Sequence, residues 1–203
     1  LDRLEREHRL AACERDRREG AARLDRLEDA TRMLLGAVRA VARARTRTGM
    51  ERAVCDRLVD GDRVGFAWID EPEGTGDALT PRVWATDEPG DGDGVPFDPA
   101  TTEDANGGDV VPARRAADTG ETVRVSDVSD GLHSATWRRA MLSRGLQSVV
   151  SVPLTYREDR YGVLTVCSPR SDGFDDTTVE ILEGVAASVA HGIYAHELRR
   201  ALY

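Results

Sequence analysis

The chain has 203 residues, with 28 basic and 37 acidic side chains and a formal net charge of −9 at pH 7. This length accommodates one well-packed domain with an appendage. Every basic residue is an arginine. The acidic excess favours adaptation to high salt over GC-rich codon usage, because codon usage does not explain the excess of aspartate. An acidic surface repels phosphate backbones, so we expect no DNA binding by the globular part of this chain.

The charge is unevenly distributed along the chain. Residues 1–57 carry 15 arginines and 11 acids, a net charge of +4, whereas residues 58–203 carry 13 arginines and 26 acids, a net charge of −13. Basic and acidic side chains alternate along the N-terminal segment, which is typical of a solvated helix face.

The three cysteines, Cys13, Cys55 and Cys167, are far apart and form no CxxC pair. This pattern indicates a reducing, cytoplasmic environment and argues against a disulfide framework or a zinc site. The sequence contains neither a signal peptide nor an apolar run of the ~20 residues that span a bilayer, so we expect no membrane association. Because the first residue is Leu1, we also expect a longer parent protein.

The N-terminal segment to about residue 47 predicts a long helix, although Arg17 and Gly20 interrupt its apolar register. Its apolar positions alternate at spacings of three and four, which suits pairing with a second helix. Packing of the same stripe on the chain's own sheet is an equal alternative. The residues assigned to a dimer and relay helix are Leu24, Leu27, Leu34, Val38 and Val41.

In the middle of the chain, Thr48 and Glu51 match a capping box that predicts a helix start, with the helix ending near Gly61. Further along, the patterns predict strands over 64–69 and 79–86, a loop over 87–109, a helix over 113–119, a strand over 121–128 and a helix over 137–143. Gly145 is expected to end that last helix.

The C-terminal third predicts a β-hairpin followed by a long helix. Two runs rich in β-branched residues, 148–154 and 161–167, flank a polar turn. Residues 177–202 then show helical periodicity, with Val185, Val189 and Ile193 on the face that packs on the sheet. The predicted fold class is α+β: an antiparallel sheet of five to six strands flanked by helices, with a long N-terminal helix.

These patterns together resemble the GAF domain, a signalling and small-molecule-binding module related to PAS. The matching segments are 116–128, 137–139, 144–154, 161–166, 174–182 and 189–193. A narrower resemblance, over 51–58, 66–69 and 81–85, is to the GAF region of bacterio-opsin-activator-type regulators of halophilic archaea. In those regulators a helix-turn-helix DNA-binding domain follows the GAF region.

No catalytic constellation is apparent, and we predict that the chain is not an enzyme and carries no metal or cofactor. The sequence has no P-loop and no metal-binding histidine pair. It also lacks the lysine of the signature that the cyclic-nucleotide-binding GAF domains carry. Cys167 falls in a predicted strand, which argues against bilin attachment. A GAF-fold sulfoxide reductase would need paired reactive cysteines, which the spacing of Cys55 and Cys167 does not suggest.

A ligand pocket is predicted where loops and short helices cover one face of the sheet. Aromatic side chains beside a polar loop could hold a small planar molecule of unknown identity by stacking. The candidate residues are Trp84, His133, Trp137 and Leu146. The alternative is that the tryptophans complete the core.

The sequence therefore predicts an N-terminal helical linker at 1–29, a GAF domain at 30–196 and the start of a linker helix at 197–203. The expected function is a sensory module of a transcription regulator. It would form a homodimer through its N-terminal helix and act on DNA only through a domain outside this chain. The alternatives are the GAF module of a histidine kinase and a dimerisation module that binds no ligand.

Overall fold

The computed structural model describes residues 2–61, 63–72, 79–87, 110–130 and 136–202, with side chains from residue 9 onward except at positions 11 and 26. Residues 88–109 of the predicted loop at 87–109, and also His133, therefore lie outside the described residues. The described elements, in chain order, are α1 (Asp2–Arg43), α2 (Arg47–Val59), β1 (Phe66–Pro72), β2 (Leu79–Thr86), α3 (Pro112–Thr119), β3 (Val123–Val125), α4 (Thr136–Ser143), β4 (Ser148–Tyr156), β5 (Asp159–Ser168) and α5 (Asp176–Ala201).

The five strands form one antiparallel sheet in the order β2-β1-β5-β4-β3. The predicted hairpin is confirmed: β4 pairs with β5 from Ser148 opposite Ser168 to Tyr156 opposite Asp159. Arg157, in the turn between them, has a φ of 58°. The prediction of an α+β fold with a five- to six-stranded antiparallel sheet is thus confirmed, with β5 at the centre of the sheet.

Helices cover both faces of the sheet, and each face has its own apolar cluster. Leu164 and Val166 of β5 join a cluster that includes side chains of α1, α2 and α5. Val163 and Cys167, which alternate with them, join a second cluster with residues of α3 and α4. This alternation is the period-two pattern of a strand buried on both sides. We call the two surfaces the three-helix face and the two-helix face.

Side-chain caps fix where two of the helices begin. The predicted capping box at Thr48 and Glu51 is wrong: α2 begins two residues earlier, because the hydroxyl of Thr46 accepts the amide of Gly49. At α5 the Asp175 carboxylate accepts the amide of Thr178 and so satisfies one of the free N–H groups of the first turn. Gly145 follows α4 with a φ of 71°, the left-handed conformation that suits a helix end.

The predicted long N-terminal helix is present as α1, which is continuous through Arg17 and Gly20. Two strands differ in extent from the sequence-based expectation. The strand β1 extends past Ile69 to Pro72, whereas β3 covers only three residues of the predicted 121–128. No helix in the described part of the chain combines the length and the apolar character needed to cross a bilayer.

Candidate functional site

The two-helix face carries most of the aromatic side chains that the sequence indicated for a pocket. Trp137 of α4 and Leu146 are buried in its cluster, and Trp84 of β2 packs against that cluster while remaining partly exposed. Trp84 lies directly opposite Trp68 of β1, so the two indoles are cross-strand neighbours. Three of the four predicted pocket residues therefore belong to one cluster, and His133 lies outside the described residues.

A buried carboxylate lies on the same face. Asp70 is fully buried, and its Oδ2 accepts a hydrogen bond from Nε1 of Trp68 at 2.7 Å. Asp70 pairs with Val163 of β5, whose side chain is in the two-helix cluster. Burial of a carboxylate is unfavourable unless hydrogen bonds or opposite charge compensate it, so this position marks a polar point in an otherwise apolar surface.

Two buried hydroxyl groups continue this polar region across the sheet. Ser151 of β4 and Thr165 of β5 are cross-strand partners whose side-chain oxygens are 2.9 Å apart. Thr165 also lies opposite Trp68. We call Trp68, Asp70, Ser151 and Thr165 the polar floor. Sequence reasoning missed Asp70 because it ended the strand at Ile69, and the period-two spacing of Trp68 and Asp70 was the available signal.

The predicted dimer and relay helix divides into two stripes in the structure. Leu34 and Val41 are partly buried and pack against the chain's own core on the three-helix face. Leu24, Leu27 and Val38 are exposed, at 63%, 42% and 41% respectively. Leu35, which the sequence analysis did not select, is 50% exposed and lies next to them on the helix surface.

A closed ring of alternating charges joins α2 to the edge of the sheet. Glu51 is fully buried, and its two oxygens accept hydrogen bonds from Arg47 at 2.8 Å and from Arg82 at 3.0 Å. Glu71 closes the ring by pairing with both arginines. Burial alone would lower the pKa of Arg82, but its hydrogen bonds to Glu71 and Glu51 more than offset this and raise it. We call these four residues the charge ring.

The end of α5 is attached to this ring and to the α1–α2 junction. Glu197 lies 3.5 Å from Arg47, and Nε2 of His196 lies 3.1 Å from the carbonyl oxygen of Arg45. Arg47 also donates to the carbonyl oxygen of Tyr161 in β5. The helices approach closely at Gly192, where an added Cβ would lie 2.6 Å from Sδ of Met50 and 2.9 Å from Cγ1 of Val41.

The cysteines occupy three different environments. Cys55 belongs to the cluster of the three-helix face and Cys167 to that of the two-helix face, while Cys13 is exposed on α1. Complete burial raises the pKa of the Cys55 and Cys167 thiols above the ordinary value, so both favour the neutral thiol. Among the described residues, no three histidine, cysteine or acidic side chains are grouped as metal ligands would be.

The sequence model of the GAF domain family matches residues 44–193, which contain the whole sheet together with the charge ring and the polar floor. The chain belongs to the GAF domain family. The resemblance inferred from the sequence motifs is therefore confirmed.

The curated relative is a proposed transcriptional regulator from the halophilic archaeon Haloferax volcanii. It is 30% identical over 171 residues, which cover 81% of this chain but only 26% of the regulator. A GAF domain with a haloarchaeal relative of this kind agrees with the narrower resemblance to bacterio-opsin-activator-type regulators. Because the chain spans about a quarter of that relative, the alignment does not extend to most of the regulator.

Solved GAF-domain structures share the fold at low sequence identity. The GAF domain of a phosphoenolpyruvate-protein phosphotransferase from Coxiella burnetii superposes with a TM-score of 0.64 at 10% identity, covering 86% of this chain and 98% of that one. Free methionine-R-sulfoxide reductase from Neisseria meningitidis superposes with a TM-score of 0.62 at 17% identity, covering 84% and 91%.

The reductase comparison corrects one of the sequence-based predictions. The prediction that the chain is not an enzyme, which rested on the lack of an apparent catalytic constellation, is wrong, because several free methionine-R-sulfoxide reductases have this fold. Membership of a fold family does not fix a function, since function depends on the particular site.

Proposed function

We propose that this GAF domain is a sensory module of a transcription regulator and that α1 and α5 relay its state to a DNA-binding domain outside the chain. Residues 1–29 and 197–203 act as the linkers on either side of the domain at 30–196. The name of the Haloferax volcanii relative supports the regulatory assignment. The observation that carries the proposal is the attachment of α5 to the α1–α2 junction through Glu197 and His196.

This attachment supports a relay because it joins the end of α5 both to the α1–α2 junction and to the sheet. Through Arg47 the end of α5 is connected to the carbonyl oxygen of Tyr161 in β5 and to Glu71 in β1. A shift of these strands therefore changes the contacts of the α1–α2 junction and of the end of α5 together. Small displacements at such contacts are a common way to turn a local event into a helix movement.

The exposed stripe on α1 supports a homodimer. At 100° per residue, Leu24, Leu27 and Val38 lie within an arc of about 60° on the helix surface. An apolar stripe of this kind is stabilised when a second helix covers it. In this dimer the α1 helices of two copies pair along the exposed stripe, while Leu34 and Val41 hold each α1 on its own sheet.

The ligand of the sensory module binds on the two-helix face in this proposal. Trp84 and Trp137 supply aromatic surface there, and Asp70 supplies a carboxylate that suits an N–H donor. A small planar molecule with such a donor fits these groups. Titration of the protein with a metabolite panel should shift tryptophan fluorescence and melting temperature for at least one compound, with a weaker response in Asp70→Asn. A panel without any response contradicts the ligand part of the proposal.

The sequence of the parent gene beyond residue 203 tests the output. A helix-turn-helix domain is expected there. A histidine-bearing dimerisation helix followed by an ATP-binding domain would instead identify a histidine kinase and contradict the transcriptional role.

The relay is tested in the full-length protein by measuring transcript levels in cells that carry substitutions at the α5 attachment. His196→Ala with Glu197→Gln should abolish the regulated change in transcripts. Asp118→Asn, which removes a carboxylate from an exposed pair on α3, is the control and should leave the response intact. An unchanged response in the double variant would rule out this route.

Sedimentation or light scattering in high salt tests the dimer. Leu27→Asp with Val38→Asp should give a monomer, because charges replace the apolar stripe. Val110→Asp, at an exposed position outside α1, should behave as the wild type. A wild-type chain that is monomeric at all concentrations contradicts pairing through α1.

A further inference from the structure

A second site, separate from the polar floor, lies between α1, α2 and the turn after β5. It is a groove with a volume of about 810 Å³. Both its position among the helices of the three-helix face and its chemistry distinguish it from the aromatic surface on the two-helix face. The basic residues among its described lining are Arg32, Arg39, Arg43, Arg57, Arg63 and Arg170, and we call it the arginine groove.

The positive charge of the arginine groove is only partly neutralised. Its described lining includes two acids: Asp29, which pairs with Arg32 and Arg63, and Asp60, which pairs with Arg57. The described lining therefore carries six guanidinium groups against two carboxylates.

Three of the guanidinium groups have no partner in the described part of the chain. Arg39, Arg43 and Arg170 form no side-chain hydrogen bond or ion pair with any described residue, and all three are exposed. A chain with a net charge of −9 has many carboxylates available. What distinguishes these three arginines is that they line one concave surface, where a single anionic ligand can contact all of them.

The arginines on α1 form a line rather than an alternating pattern. Residues 32, 39 and 43 are seven and four positions apart, which places them within an arc of about 40° on the helix surface. Arg39 and Arg43 are separated by about 6 Å along the helix axis. The alternating charges of this helix predicted a solvated face, because spacing along one helix does not show that Arg57, Arg63 and Arg170 line the same groove.

The floor of the arginine groove is apolar. It is formed by side chains that are buried or partly buried, namely Met33, Ala40, Ala44, Leu58 and Val64, whereas Leu35, which also lines the groove, is 50% exposed. Its volume lies in the range of small-molecule sites. Guanidinium groups bind phosphate through paired N–H donors and also stack on planar rings, so the walls suit phosphates and the floor suits an apolar or planar group.

We propose that the arginine groove binds a small phosphorylated ligand of the nucleoside polyphosphate class. Arg39, Arg43 and Arg170 hold the phosphates, and the base lies over the apolar floor. The concave shape between two helices favours a small molecule over duplex DNA. Proteins bind duplex DNA with basic side chains on an exposed surface or with a helix that enters a groove of the DNA. Binding in the arginine groove does not depend on the proposed transcriptional role, because all the residues that line the groove belong to this chain.

Calorimetric titration with ATP, pyrophosphate and adenosine tests the proposal. ATP and pyrophosphate should bind with one site per chain, and adenosine should bind much more weakly. Arg39→Gln with Arg43→Gln should weaken ATP binding by about tenfold or more, because two charge-assisted contacts are removed. Arg17→Gln with Arg18→Gln, exposed positions on the same helix outside the groove, is the matched control and should bind ATP as the wild type does. Circular dichroism verifies that both double variants are folded.

Three results would overturn the proposal. The first is the absence of ATP and pyrophosphate binding at both low and high KCl. The second is equal weakening by the two double variants, which would indicate a general effect of charge. The third is a duplex oligonucleotide that binds more tightly than ATP and loses its affinity in Arg39→Gln with Arg43→Gln, which would identify a nucleic-acid surface.

Discussion

The two faces of the sheet bury polar side chains in different ways. On the three-helix face the buried polar groups lie at the margin: Glu51 is held by the charge ring, and Ser148 and Ser168 bond to the backbone of Arg170. On the two-helix face Asp70, Ser151 and Thr165 lie within the sheet itself. The first arrangement fastens helices to the sheet, whereas the second places hydrogen-bonding groups on the face where we propose that a ligand binds.

The largest expected effect comes from the charge ring. Glu51→Gln keeps the side-chain shape but turns an amide N–H₂ toward an arginine, so one donor faces another. We expect a loss of about 2 kcal/mol in the free energy of unfolding, below the full cost of breaking a buried pair because both arginines are partly exposed. Chemical denaturation measures this loss in the free energy of unfolding.

The control for the charge ring is an ion pair of the same chemistry at the surface. Arg57 and Asp60 are both exposed, so Asp60→Asn should change the free energy of unfolding by less than about 0.5 kcal/mol. Equal effects of Glu51→Gln and Asp60→Asn would show that the ring contributes no more than an ordinary surface pair.

Sequence patterns predicted the sheet and its helices because these depend on local periodicity. The hairpin and α5 follow from β-branched runs and an apolar stripe, and both were located to within a few residues. Glu51 was misassigned to a helix cap, since its partner Arg82 is far away in sequence and only the folded sheet brings the two together. The residues predicted for the relay helix come from two different stripes for a related reason. The helix α1 has two adjacent apolar stripes, and spacing alone does not show which of them faces the sheet.

The polar floor gives the next largest effect. Thr165→Val removes one hydroxyl and leaves that of Ser151 buried without its partner, which should cost about 1–2 kcal/mol in the free energy of unfolding. Ser151→Ala together with Thr165→Val removes both groups and should recover most of that loss. Denaturation of the three proteins measures the coupling between the two hydroxyls. An additive double variant would mean that the two hydroxyls do not depend on each other.

Alanine substitutions at two glycines of α5 distinguish the effect of helix propensity from the effect of close packing. Gly184→Ala places its Cβ at an ordinary distance of 3.9 Å from Leu34 and should stabilise the protein by about 0.5–1 kcal/mol. Gly192→Ala gains the same propensity but meets Met50 and Val41 at under 3 Å. We expect it to be about 1 kcal/mol less stable than Gly184→Ala. Equal melting temperatures for the two variants would show that α5 is not closely packed on α1 and α2.

The smallest effect concerns a surface turn on the two-helix side. The Ser129 hydroxyl and backbone N–H both donate to Asp127 and lower the pKa of its carboxyl below the ordinary value. A carboxyl whose pKa is lower in the folded state stabilises the protein above the unfolded-state pKa, and this contribution is lost as the pH falls through the folded-state value. Asp127→Asn should therefore be slightly less stable than the wild type at neutral pH, and the difference should shrink below pH 3.8 and vanish once the pH is below the lowered pKa of the folded state. In acid, protonated Asp127 and the asparagine are both uncharged. A difference in melting temperature that persists unchanged there would mean that Asp127 acts through its shape and not through its charge.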